Sequence, residues 1–273
     1  MSLRGLLKPL LICVWFSGCV SNLILAQTPP VNPVEKISLY QQRAEQAVPD
    51  QEALAHSEKM LREHKNIKIL DKFAVPNFHK QSGELETAPN TFCRNCHSPL
   101  PHRSQLRTRG FNNMHVRFIA CETCHFRPKD VEFDYQWLDY DKQQSVNGQG
   151  LFRIGQEIDN AKQRPANPKI APFKDGLPVI AFKDQSFSKE IADQWDKADT
   201  SAKVLLRAKL HLPLEKKGPE CQGCHDEQKS LLNLQALGAT AEQSQAMAKH
   251  IIPQFIRRYK KDDEHITIRE MLR

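Results

Sequence analysis

Apolar residues recur at helical spacing in three stretches of the chain. Behind Asp50, a plausible N-cap, Ala53, Leu54, Met60 and Leu61 fall on one side of a helix expected to run to about residue 66. Ile191, Trp195, Ala198, Ala202, Leu205 and Leu206 form a second stripe, over 188–210, with Ser188 as its cap and Leu-His211-Leu-Pro213 as its end. A third helix should begin at Thr240, where Gln243 stands at the position a capping box requires, and Pro253 should kink or break it. Elsewhere the helical period is lost. Pro29, Pro30, Pro33 and Pro49 make 27–49 an extended lead-in. Residues 131–187, punctuated by Gly148, Gly150, Gly155, Gly176, Pro165, Pro168, Pro172 and Pro178, read as loops with short strands such as Val179-Ile-Ala-Phe182. Phe133, Tyr135, Trp137 and Tyr140 would supply a small aromatic core there. The expected fold class is mainly α with extensive irregular loops.

The amino terminus has a different pattern. Arg4 and Lys8 precede an apolar run over 10–25, and Ile24-Leu25-Ala26 leads into a Pro-rich segment. This reads as a secretory leader over 1–26, cleaved near Ala26, since sixteen apolar positions are short for a membrane span. Two rivals are an uncleaved anchor and a lipoprotein site at Phe16-Ser17-Gly18-Cys19, with Cys19 lipidated. All three put the remaining chain outside the cytoplasm, in the periplasm, with membrane association only through such an anchor. The remainder divides into a lead-in and helix over 27–70, a dense segment over 71–130, a connecting segment over 131–210 and a last module over 211–273.

Candidate chemistry enters with the cysteines. Six of the eight fall in one repeated pattern: Cys93-Arg-Asn-Cys96-His97, Cys121-Glu-Thr-Cys124-His125 and Cys221-Gln-Gly-Cys224-His225. C-x-x-C-H is the attachment signature of c-type haem. Two thiols two residues apart reach the two vinyl groups on one edge of a porphyrin from a single turn of backbone. The histidine that follows is carried under the ring as proximal iron ligand. C-x-x-C alone also suits a redox disulfide or half a zinc site, but neither requires a histidine directly after it three times. The reading is three covalent haem c groups, with 71–130 a dihaem module: 28 positions separate Cys93 from Cys121, so two rings tied there must lie close together.

Composition and charge refine this picture. Hydrophobic content is 40% and mean hydropathy −0.57, lean for 273 residues, and bound porphyrins would add apolar surface. The net charge of +7 is small and scattered, Arg4 and Lys8 lie in the leader, and each haem adds two propionates; nucleic-acid binding is therefore not expected. Between 91 and 130, seven basic residues stand against Glu122 and Asp130, a basic rim suited to propionates or to an acidic redox partner. No phosphate loop or catalytic triad is visible, and no residue is assigned a catalytic role.

Each iron needs a sixth ligand or an open position. A second histidine gives low-spin iron suited to electron transfer, methionine raises the potential, and an open position admits substrate. Eight histidines remain beyond His97, His125 and His225. The distal candidates, in order, are His211, His115, His102, His79 and His250, with Met114 and Met247 as rivals; the stiff Ser98-Pro99-Leu100-Pro101-His102 segment could hold His102 towards a neighbouring ring. Which histidine serves which iron is not legible.

Cys96-His97-Ser-Pro-Leu-Pro-His102, Asn113-Met114-His115, Ala120-Cys121-Glu-Thr-Cys124-His125-Phe126, Lys169-Ile-Ala-Pro-Phe173 and Leu234-Gln-Ala-Leu237-Gly238 resemble segments of the multihaem c-type cytochromes of bacterial periplasmic and extracytoplasmic respiration. The resemblance implies closely packed bis-histidine haems in a mainly helical, loop-rich architecture, and it implies that residues placed like His115 and His211 are distal ligands. The expectation is a periplasmic trihaem electron carrier serving redox proteins, acidic or quinol-linked. The alternatives are an enzyme reducing a small nitrogen or sulfur oxyanion at one open haem, and an accessory subunit of a larger redox complex.

Overall fold

The computed structural model describes residues 36–63, 90–103, 108–152 and 168–258. A four-stranded antiparallel sheet lies at the centre of the chain: β1 (Asp134–Asp139), β2 (Gln144–Val146), β3 (Lys169–Lys174) and β4 (Leu177–Pro178), in the order β2-β1-β3-β4. Trp137 of β1 stands opposite Val146 on one side and Ile170 on the other. The β1–β2 turn is set by Asp139, whose carboxylate accepts from the N–H groups of Asp141 and Lys142. The β3–β4 turn uses Asp175 at φ 51° and Gly176 at φ 75°, the two left-handed positions of a tight hairpin.

Helices surround the sheet: α1 (Leu39–Gln46), α2 (Gln51–Arg62), α3 (Arg109–His115), α4 (Cys121–His125), α5 (Ser186–Lys197), α6 (Thr200–His211), α7 (Cys221–Cys224), α8 (Ala241–Ala248) and α9 (Ile251–Arg258). Asp50 caps α2 through the N–H of Ala53, and Thr240 with Gln243 forms the complete capping box of α8. The main core joins α1, α5 and α6 to the sheet through Tyr40, Phe92, Phe126, Leu138, Tyr140, Phe173, Ile180, Phe182, Phe187 and Leu210. No helix among the described residues is long and apolar enough to cross a membrane.

Several elements differ from the sequence reading. Part of the 27–49 lead-in is helix α1, started by Ser38, whose hydroxyl accepts from Gln41 N–H. The 188–210 stripe is two helices: Ala198 is extended at ψ 142°, and Asp199 caps the second through Ala202 N–H. Ser188 is therefore no cap; it is buried within α5 and accepts from Asn95 Nδ2 at 2.8 Å. Val179 to Phe182 is no strand. The segment is buried, and its carbonyls accept from Tyr40 N–H and Phe92 N–H at 3.0 Å rather than from a neighbouring strand. The chain breaks at Lys249 and His250, before Pro253, which lies in the first turn of α9, where proline is tolerated. α2 ends at Arg62 rather than near 66.

Two contacts bring the carboxyl-terminal part back onto the middle of the chain. Trp137 Nε1 donates to Leu237 O at 2.8 Å, and Gly148 packs backbone to backbone on Gly238, which has φ 98°. A Cβ at Gly148 would fall 2.0 Å from Leu237 O, so only glycine permits this approach. Glu215 N–H donates to His125 O at 2.7 Å, and the Glu215 carboxylate pairs with Arg127. The segment leading to the third motif thus docks on the second.

Candidate functional site

Each motif folds into one tight turn. α4 and α7 are single helical turns, and Phe92–Asn95 is a 3-10 turn continued by the His97 N–H bond to Cys93 O at 3.0 Å. Residues three apart on such a turn share a side, so the two cysteines of each motif lie on one side of their turn. None of the six thiols is in a disulfide, and none is fully buried. Burial pushes the Cys124 thiol up to about 12 and Cys224 to about 11, and it also raises Cys96 and Cys221. The interaction with Cys93 lowers Cys121 instead, so the thiols raised by burial are poor disulfide-exchange nucleophiles while Cys121 is the exception. The Cys93 thiol reaches the second motif, donating to Glu122 Oε1 at 3.4 Å. Cys124 lies against Gly218 and near Cys224. The second motif therefore stands between the first and the third.

Each motif histidine faces a second imidazole. Ring centroids are 6.0 Å apart for His97 and His211, 6.3 Å for His125 and His102, and 6.0 Å for His225 and His115. Two imidazoles bound through Nε2 on opposite sides of one metal, with nitrogen–metal bonds of about 2.0 Å, place their centroids about 6.3 Å apart. Ordinary aromatic pairs occupy the same range. Repetition and polarity favour the metal-spanning arrangement: all three motif histidines have such a partner, and the partners are three different chain positions. The interplanar angles are 66°, 22° and 63° in the same order, rotations that two rings on a shared axis can adopt.

The outer ring nitrogens are tied down. His125 Nδ1 donates to Glu215 O at 2.9 Å, His225 Nδ1 to Met247 O at 2.7 Å and His211 Nδ1 to Arg207 O at 2.8 Å. His115 bonds the carbonyl of Phe111, and His102 Nδ1 lies 3.2 Å from Asn113 Oδ1. A carbonyl only accepts, so Nδ1 carries the proton and Nε2 keeps its lone pair for a metal. Burial lowers the pKa of His102 and His115 and brings that of His211 down to about 4, so these rings are neutral near pH 7.

These residues fit a haem better than a protein-only metal centre. Among the described residues, no three or more His, Cys, Asp or Glu side chains converge as zinc would require. A metal held between two such imidazoles would need its other ligands from outside the chain, as a porphyrin would supply. Leu100, Met114, Phe118, Leu205 and Leu212, which flank His102, His115 and His211 in sequence, are 44–51% exposed, an unusual state for large apolar side chains grouped around ligands. A porphyrin would cover such surface.

Compared with family models, with curated proteins and with solved structures, the chain matches none.

Three of the distal candidates, His211, His115 and His102, thus stand in facing pairs, and His79 lies outside the described residues. His250 is in none of these pairs; its Nδ1 accepts from Ile252 N–H at the start of α9. Facing His225 is the ring of His115, not its neighbour Met114. The basic rim is partly consumed: Arg127 pairs with Glu215, and Arg94 donates to the carbonyls of Ser98 and Pro99. Glu122 does not belong to that rim. It is buried, its Oε1 accepts from Thr91 at 3.5 Å and from Cys93 at 3.4 Å, and its Oε2 has no partner. Burial raises its pKa. Sequence reasoning did not anticipate Glu122, Asn113 or the carbonyl anchors. The i−4 bonds of His115 and His211 could have been foreseen from helices ending in histidine, whereas the Glu215 and Met247 carbonyls come from distant segments.

Proposed function

We propose that the protein is a periplasmic electron-transfer protein carrying three covalent haem c groups. Cys93/Cys96, Cys121/Cys124 and Cys221/Cys224 attach them, with axial pairs His97/His211, His125/His102 and His225/His115. The observation that carries this reading is the threefold facing of a motif histidine by a second, neutral imidazole at 6.0–6.3 Å. When bound, such haems supply reversible one-electron chemistry with little rearrangement at six-coordinate iron. The chain supplies the rest. Each distal histidine comes from a different segment than its proximal partner, so the three sites interlock: His211 before the third motif serves the first, His102 after the first serves the second, and His115 before the second serves the third. The Nδ1 hydrogen bonds fix ring orientation and increase ligand basicity. The contacts of the second motif with the first, through Cys93 and Glu122, and with the segment before the third, through Cys124 and Gly218, support an arrangement with the second site in the middle. The exposed basic residues Arg103, Arg109 and Lys129 suit an acidic redox partner.

Reduction of a bound oxyanion would need an iron with one protein ligand, and all three motif histidines are faced by another ring. The test is EPR and mass spectrometry of the purified oxidised protein. The expected result is three haem masses per chain and only low-spin iron. One signal should be rhombic, from the near-parallel pair at 22°, and two should show the large g anisotropy of steeply crossed rings at 63° and 66°. A high-spin signal that responds to cyanide or nitrite in the resting protein would refute the relay, and colourless protein would refute the haems.

A further inference from the structure

Asn113 stands apart among the groups that hold the imidazoles. His211 and His115 bond carbonyls four residues back in their own helices. His125 and His225 bond main-chain carbonyls of Glu215 and Met247. His102 belongs to no helix; it follows Pro101 in an irregular segment and is held from outside by the side chain of Asn113. Asn113 Oδ1 accepts from His102 N–H at 3.0 Å and from its ring Nδ1 at 3.2 Å, while Asn113 Nδ2 donates to His102 O at 3.0 Å. Every polar group of His102 other than the Nε2 left for the metal therefore ends on one amide. Asn113 sits on α3, two residues before His115.

We propose that Asn113 is the positioning residue that keeps His102 on the middle iron, so that this iron, and not the outer two, is the one that opens to a small exogenous ligand such as carbon monoxide. The proposal rests on the haem reading above. The outer distal histidines are carried at the ends of α6 and α3, so helical backbone fixes their positions, and His211 Nδ1 is further held by Arg207 O. His102 sits in an irregular segment just after Pro99 and Pro101, which imposes no hydrogen-bonded register of its own, so its hold on the iron depends on the latch. The latch also tunes: a stronger acceptor at Nδ1–H pushes charge into the ring and stabilises oxidised iron.

Three variants of the holoprotein test this: Asn113→Ala, Asn113→Asp and His102→Ala. In N113A the rhombic low-spin signal should diminish in favour of high-spin iron, and the reduced protein should take up one carbon monoxide per chain; the two large-anisotropy signals should persist. N113D keeps the acceptor oxygens and adds charge. It should remain low-spin and lower one of the three midpoint potentials while leaving two in place, a selective shift that a merely structural role would not produce. H102A should bind one carbon monoxide outright. If H102A opens one iron while N113A stays fully low-spin and takes up none, the latch is refuted and the relay stands. N113D with all three potentials unchanged refutes it equally, even if N113A does not accumulate. If H102A keeps three low-spin haems, the His102/His125 pairing is wrong and this inference falls with it.

Discussion

His125 and Phe126 are neighbours in the chain and belong to opposite kinds of packing. Phe126 is fully buried, edge-on to Tyr40 at 5.6 Å and beside Phe133 at 5.9 Å, in a core where Leu138, Ile180 and Phe173 are also closed off by other side chains. His125 looks the other way, towards His102, across a region where Leu100 and, near His115, Met114 and Phe118 remain half exposed. The sheet side is completed by the chain itself. The motif side gathers apolar and ligating groups that no side chain of the described residues finishes covering. The contrast locates where a group bound as proposed would add stability: on the motif side, by mass action on the folded form.

The largest expected effect breaks the closed side. Phe126→Ala should cost about 3–5 kcal/mol of stability, the usual penalty for emptying an aromatic site in a packed core. Denaturant unfolding of the holoprotein measures it. A loss below about 1 kcal/mol would mean that the core is not what holds His125 in place. Breaking the open side should act locally. The paired change Cys221→Ala and Cys224→Ala should remove one haem mass and one large-anisotropy EPR signal, that of His225/His115, while the other two sites load normally. Its midpoint of unfolding should fall by less than that of Phe126→Ala, because the third motif meets the sheet through the smaller cluster of Trp137, Ile170, Leu232 and Leu237.

The two sides also differed in how far the sequence disclosed them. The motifs, the histidines that end them and three of the candidates that face those histidines could be named because short spacings carry them: C-x-x-C-H fits in one turn, and the facing candidates are drawn from the remaining histidines. Caps were legible for the same local reason, as at Asp50 and Thr240. Pairing was not legible. That His211 faces His97 depends on the end of α6 reaching the first motif, a contact over more than a hundred residues that leaves no local trace. β1 and β3 were obscured because both faces of the central strands are partly covered, so their sequences lack clean alternation; β3 even carries Pro172. α1 was obscured by the prolines before it, and the break at Ala198 by an apolar stripe that continues through it.

Between the two sides lies Glu122, three residues before His125 but enclosed with Tyr40 and Tyr140. Its burial holds the carboxyl above its ordinary value of 4.5, so the folded state favours the protonated form. The stabilising linkage is fully present below that ordinary value and is lost as pH rises from it through the folded value. Thioether formation at Cys93, as proposed, would remove one of the two donors to Oε1 and leave the ionised form still less well served. Glu122→Gln should therefore flatten the fall in stability above pH 4.5 and leave the variant more stable than the parent at neutral pH. Melting temperature measured across pH checks this, and parallel curves for the two proteins would show that Glu122 does not titrate in that range.

The smallest expected effect sharpens the comparison at the far end of the chain. Thr240 accepts from Gln243 N–H, and the Gln243 side chain accepts from Thr240 N–H, so both open donors at the start of α8 are satisfied. α8 ends beside Met247, whose carbonyl holds His225 Nδ1 at 2.7 Å. Thr240→Ala should cost about 1 kcal/mol, the usual price of a lost cap. The carbonyl that anchors His225 lies two turns away, in a stretch tied down independently by Lys249, whose ammonium pairs with Glu227 at 3.0 Å. The stability loss should therefore appear without any change in the third low-spin signal. If that signal broadens or moves instead, the orientation of His225 depends on the whole of α8 rather than on its last turn, and the third site is held less locally than the first, where His211 and its anchor Arg207 share one helical turn.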